Sequence, residues 1–161
     1  MSLSKLRGFL DSHNVKYLVI SHSLAYTAQG VAALAHVSGR KLAKTVIVRI
    51  DGLLAMAVIP ASFHVDVDRL RVLSGAQVVE LATECEFKDA FPDCETGAMP
   101  PFGNLYDMVV YADASLAENE EITFSAGTHR ELVRMHWQDL ERLVNPIVDT
   151  LTYQRPALAI A

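Results

Sequence analysis

The sequence predicts a mixed α/β domain of the α+β kind, and three observations carry that reading. Two runs rich in apolar residues, Lys44–Ile50 and Leu53–Ile59, flank Asp51-Gly52. That dipeptide suits the positive φ angles of a type I′ turn, so an antiparallel hairpin is predicted. Leu3, Leu6, Phe9 and Leu10 fall at helical spacing and end at Asn14, which describes an amphipathic helix at the start of the chain. Finally, helices and hairpins are interspersed along the chain without strict βαβ alternation, which favours a mixed sheet over a regular parallel one.

The remaining elements follow in order. Tyr17–Ser21 reads as a short strand, and Thr27 is a plausible N-cap for a helix over Ala28–His36 that Ser38-Gly39 would close. After Pro60, Val67, Leu70 and Leu73 mark a helix stopped by Gly75, and a short strand is expected at Gln77–Leu81. Thr83-Glu84-Cys85-Glu86 fits a capping box opening a helix that must stop before Pro92. Residues 92–106 hold three prolines and two glycines and can be neither helix nor central strand. A stiff loop of this length in a compact domain is often functional. Strands are expected at Met108–Ala112, Ile122–Ser125 and Leu132–Trp137, and a last helix at Gln138–Val144 ended by Pro146. From Ile147 no pattern is legible, so residues 1–145 read as the domain and 146–161 as a C-terminal tail.

At 161 residues, 51% hydrophobic and 20% charged, the chain suits one domain with a sizeable core. No apolar run approaches the roughly 20 residues of a membrane helix, and the N-terminus lacks a signal-peptide pattern. A cytoplasmic protein with no membrane partner is expected. Cys85 and Cys94 then read as free thiols. A formal charge of −5 argues against broad nonspecific nucleic-acid binding, so any RNA must meet a local basic patch.

Lys44 carries the first chemical question. A phosphate-gripping P-loop is excluded: Gly39 stands one residue too close, Ala43 occupies the second glycine position, and a strand follows where a helix is needed. Two readings stay open, a solvated charge at a strand end or a compact ammonium aimed into a cleft. The Gly97-Ala98-Met99-Pro100-Pro101-Phe102-Gly103 stretch is either a rigid turn or a set of backbone amides preorganised as an oxyanion hole. Gly127-Thr128-His129 follows a strand, and its histidine is either simply exposed or orients a water near neutral pH. His22 carries the same two readings, whereas His136, alternating with Met135 and Trp137, reads as structural or exposed. Neither cysteine has zinc-site spacing and no H-E-x-x-H occurs, so no metal or cofactor is expected.

Taken together and in this order, Ala43-Lys44-Thr45-Val46, the Gly97-to-Pro101 loop running into Pro101-Phe102-Gly103, and Gly127-Thr128-His129 resemble the YbaK / prolyl-tRNA-synthetase-associated editing domain family. Tyr26-Thr27-Ala28-Gln29 and the Met135–Val144 stretch are similar to it as well, so the likeness covers about residues 1–145. The resemblance implies a curled mixed sheet of six or seven strands flanked by helices. It also implies an activity in trans, the hydrolysis of small amino acids wrongly attached to tRNA (tRNA-Pro or similar). The partners implied are the CCA end of an aminoacyl-tRNA and an aminoacyl-tRNA synthetase. By the same resemblance Lys44 matches the essential lysine, Gly97 and Pro101 the GxxxP loop, and His129 a histidine of members that remove alanine.

The chemistry is consistent with that expectation. An aminoacyl ester is already activated, so positioning a water and stabilising the oxyanion can suffice without a covalent nucleophile. On this reading Lys44, Gly97, Ala98 and His129 form the catalytic set. His22, Thr45, Met99, Pro100, Pro101, Phe102, Gly127 and Thr128 surround the substrate, with Ile47 or Val48 as further apolar lining. Arg40, Lys41, Lys44, Arg49, Arg130 and Arg134 form a local positive rim for the CCA end. Two alternatives stand beside it: a noncatalytic module of the same fold that binds tRNA, a nucleotide or a synthetase, and a hydrolase that uses Cys94 with His129.

Overall fold

The computed structural model describes residues 2–21 and 41–153. Among them the helices are α1 (Ser2–Ser12), α2 (Val67–Ser74), α3 (Glu84–Phe87) and α4 (Trp137–Val144). The strands are β1 (Tyr17–Ser21), β2 (Leu42–Ile50), β3 (Leu53–Pro60), β4 (His64–Val65), β5 (Val79–Leu81), β6 (Val110–Asp113), β7 (Glu121–Ser125), β8 (Glu131–His136), β9 (Ile147–Asp149) and β10 (Thr152–Tyr153). The helix expected at Ala28–His36, its Thr27 cap, His22 and Arg40 lie outside the described residues.

Local chemistry accounts for most boundaries. Asp51 and Gly52 both take positive φ, +48° and +86°, as the hairpin turn requires. The Asp51 carboxylate accepts the amides of Gln77 (3.0 Å) and Val78 (2.9 Å), which fastens β5 beside the turn. Helix α2 is capped by the Asp66 side chain and closed by Gly75 at φ +72°. At α3 the Glu86 carboxylate accepts the Thr83 amide (3.2 Å) and hydroxyl (2.9 Å), as the capping box predicts.

The sheet is mixed, with order β1-β8-β7-β2-β3-β6-β9 and β5 added on β2. That makes eight strands among the described residues, one more than the upper expectation, because β5 borrows part of an edge already used by β7. One edge of β2 pairs with β3 along its length, from Ala43 opposite Pro60 to Ile50 opposite Leu53. The other edge is divided. Leu42 and Ala43 pair in parallel with β7, and Val48 to Ile50 pair with β5. Between them, residues 44–47 have no partner strand on that edge among the described residues, and the Ile47 carbonyl accepts the Ala82 amide at 3.0 Å. Lys44 stands where the sheet splits.

The tail reading needs correction. Past Pro146, β9 pairs with β6 and β10 pairs with β4. The cause is Asp113, a buried carboxylate that accepts the Leu151 amide (2.8 Å) and the Thr152 hydroxyl (3.0 Å) while also holding Ser115. Strands of two or three residues supply no periodicity, and the group that anchors them is remote in sequence.

Successive strand residues point to opposite faces, so the unbroken β2 register sorts its side chains. Ala43 and Ile47 join the larger core, with Phe102, Phe124, Met99, Leu6 and Leu10. Thr45 lies on that face. Val48, with Val46 and Ile50 against it, joins a second core under α2 with Ile59, Leu70 and Leu151. Lys44 lies on this second face, between Leu42 and Val46.

Candidate active site

Two loops that are remote in sequence are laced together. The amide of Glu95 donates to the Gly127 carbonyl, and the amide of Gly127 donates to the Ala98 carbonyl, each at 2.8 Å. His129 donates its backbone amide to the Glu95 carboxylate (3.1 Å) and its Nε2–H to the Thr96 carbonyl (2.7 Å). A carbonyl can only accept, so this contact places the ring proton on Nε2. The imidazole is buried, only 7% exposed, unlike the surface histidine that its loop position allowed for. Thr128 closes the turn by donating its hydroxyl to Glu131 at 3.2 Å and accepting the Arg130 amide at 3.3 Å.

The backbone at Gly97 shows why the loop needs glycine there. Its φ is +85°, and a Cβ would sit 3.5 Å from His129 Cε1, so a larger side chain would grow against the ring. Gly127 takes φ +97°. The structure thus joins Gly97, Ala98, Gly127, Thr128 and His129 in one constellation.

The loop's donors are fewer than its length suggests. Pro100 and Pro101 have no N–H, and the Ala98 amide is spent on the Glu95 carbonyl at 3.0 Å. The amides of Gly97 and Met99 have no partner among the described residues. Met99, Pro100, Pro101, Phe102 and Gly103 are buried. Phe102 is fully buried and packs on Phe9 (6.0 Å between centroids) and Phe124 (5.7 Å), so it supports the loop from beneath instead of lining an open space. Gly103 is required sterically: a Cβ would lie 2.4 Å from the Met108 carbonyl oxygen.

Lys44 is connected to this constellation by strand pairing. Its neighbour Ala43 is opposite Phe124, and two residues later β7 enters the Ala126–His129 turn. The ammonium is half-buried and makes no ion pair or hydrogen bond with a described residue. Burial alone lowers its pKa below the ordinary lysine range. Thr45, on the opposite face, is half-buried. Ile47 and Val48 are core residues on opposite faces.

Of the expected basic rim, Arg49 drops out. It is paired with Glu86 and lies 3.6 Å from Glu80, so its charge is already answered. Lys41 and Arg130 are exposed. Cys94 is half-buried beside the Tyr106 hydroxyl (3.4 Å) and lines a cleft of about 340 Å³ with Phe87, Phe91, Pro92, Thr96 and Met99. Glu95, whose amide and carboxylate both bind the second loop, was missed from sequence, because its two residues of separation from Gly97 match no motif.

Among the described residues no helix is long and apolar enough to cross a membrane. The family model for the aminoacyl-tRNA editing domain matches residues 22–143. Proline–tRNA ligases from Bacillus mycoides (strain KBAB4) and Bacillus cereus (strain AH187) are each 29% identical over 87 residues. That match spans 54% of this chain and only 15% of each ligase. Among solved structures, hypothetical protein APE2540 superposes with a TM-score of 0.84 at 20% identity, over 92% of this chain and 99% of that one. A protein proposed as a trans-editing enzyme for prolyl-tRNA synthetase superposes at 0.80 with 21% identity, over 94% and 97%. Likeness at these identities establishes the fold, and the match over residues 22–143 establishes more: the chain belongs to the aminoacyl-tRNA editing domain family.

Proposed function

We propose that this chain is a trans-acting aminoacyl-tRNA deacylase that hydrolyses the ester of a small amino acid mischarged on tRNA, with tRNA-Pro or a similar tRNA as the carrier. The observation that carries the reading is the lacing of the Gly97 turn to the Gly127–His129 turn, with the Gly97 and Met99 amides left without partners among the described residues. Such preorganised amides stabilise the charge that develops when a carbonyl is attacked, and they need no reorganisation as it forms. His129 holds the turn through Thr96, and its ring bounds the space over Gly97, where it limits the size of the amino-acid end. Lys44 meets the ribose or phosphate of the terminal nucleotide and orients the ester. Water is the nucleophile: its oxygen bonds to the ester carbonyl carbon, the bond to the ribose oxygen breaks, and the free amino acid and the tRNA hydroxyl are the products.

A second site of this kind answers a real energetic limit. A synthetase pocket discriminates against one missing methylene by only about 1–3 kcal/mol, so a site that admits the smaller residue and excludes the correct one restores fidelity. Work on tRNA places the protein in the cytoplasm, with a synthetase as its natural companion. The test is deacylation of a panel of mischarged tRNAs, including Ala-tRNA(Pro), Cys-tRNA(Pro) and Ser-tRNA variants. Selective hydrolysis of one small aminoacyl ester is the expected result. Absence of hydrolysis with tRNA still bound would overturn the reading in favour of a binding module.

A further inference from the structure

We infer that Arg134 is a second anion contact on the Lys44 face, seating an RNA phosphate near the 3′ end while Lys44 meets the terminal nucleotide. The strand register places it there. Thr123 pairs with Leu42 on one side and with Arg134 on the other, so Leu42, Thr123 and Arg134 form one row on the face that Lys44 shares. Two strand spacings of about 4.8 Å and a two-residue rise of about 6.6 Å put the Cα atoms of Lys44 and Arg134 about 12 Å apart. Two long cationic side chains at that separation can address the two ends of one nucleotide.

Among the described residues neither cation makes an ion pair. Arg134 Nε is buried with no hydrogen-bond partner among the described residues, although the residue as a whole is part-exposed. A buried N–H with no acceptor is a cost to the unliganded fold. Among the residues of β1, β2, β7 and β8 on this face, Glu121 is the sole carboxylate, and it makes no ion pair with Arg134. Residues 22–40, HSLAYTAQGVAALAHVSGR, contain no Asp or Glu, so that segment brings no carboxylate to either cation. Arg49, by contrast, is on the opposite face and has two glutamates. The planar guanidinium fork matches phosphate oxygens in a bidentate way that an ammonium does not.

This inference rests on the RNA-directed reading above, and its test is independent of hydrolysis. Binding of uncharged tRNA-Pro by the full chain is measured over a salt series for the wild type, Arg134→Gln, Arg134→Lys and the control Arg71→Gln on exposed α2. Arg134→Gln should weaken binding about tenfold and reduce the slope of log affinity against log salt by about one. Arg134→Lys should restore the slope but only part of the affinity, and Arg71→Gln should match the wild type. Wild-type affinity and slope in a folded Arg134→Gln protein overturn the inference, even if deacylation is robust. If Arg134→Gln does not fold, loss of affinity in folded Arg134→Lys supports the inference and unchanged affinity overturns it. A salt-slope effect in a protein that deacylates nothing leaves the inference standing and removes the deacylase.

Discussion

The two faces of the central strand differ in what they leave unanswered. Ala43 and Ile47 point into a core filled by Phe102, Phe124, Leu6 and Leu10, where each apolar group has neighbours. Lys44 points the other way, half-buried, and Arg134 shares its side; among the described residues Lys44 has no anion and the buried Arg134 Nε no acceptor. The first face is filled throughout, whereas the second, beside its own core of Val48, Ile59, Leu70 and Leu151, carries polar groups left unanswered among the described residues. Such groups are expected where a ligand completes them.

Substitutions on the two faces should therefore separate stability from activity. The largest effect on folding belongs to the filled face: Phe102→Ala should cost about 3–5 kcal/mol in denaturant unfolding, because a fully buried ring leaves a cavity that Phe9 and Phe124 cannot close. Gly97→Val combines a disfavoured positive φ with a side chain directed at His129, and should lower kcat/KM for deacylation by about 100-fold. Wild-type turnover in that variant would break the amide scheme.

The pH dependence sharpens the contrast. An unfolded lysine titrates near 10.5, and burial lowers the folded value, so between the two the unfolded chain binds more protons and stability rises with pH. The destabilisation by Lys44 is thus complete below its folded pKa and fades toward 10.5. The stability gap between Lys44→Met and the wild type, measured by urea unfolding, should narrow with pH across that window. Catalysed deacylation, corrected for background, should fall on the alkaline side before 10.5 as the ammonium is lost. The smallest effect is expected of Cys94→Ser, which should keep wild-type deacylation; its loss would bring back the thiol mechanism.

Legibility followed the range of the forces involved. The hairpin, its Asp51-Gly52 turn, the Gly75 cap and the Thr83 capping box depend on neighbours within a few residues, and each was readable. Lys44, Gly97 and His129 were nameable because together they form an ordered pattern, but nothing local says that His129 is buried against Thr96. The strands after Pro146 escaped notice because Asp113, 38 positions from Leu151, holds them. Arg49 looked like part of a basic rim until the fold brought Glu80 and Glu86 to it. Sequence reports which charges exist; pairing decides which remain for a ligand.

The central claim is that Lys44 is kept for substrate at the expense of the fold, and one paired measurement tests it most directly. Thermal unfolding and Ala-tRNA(Pro) deacylation are recorded on the same preparations of wild type and Lys44→Met. The account predicts a melting temperature equal to or above that of the wild type, together with loss of about 100-fold or more in kcat/KM. Retained activity, or activity lost only in step with a lowered melting temperature, would contradict it.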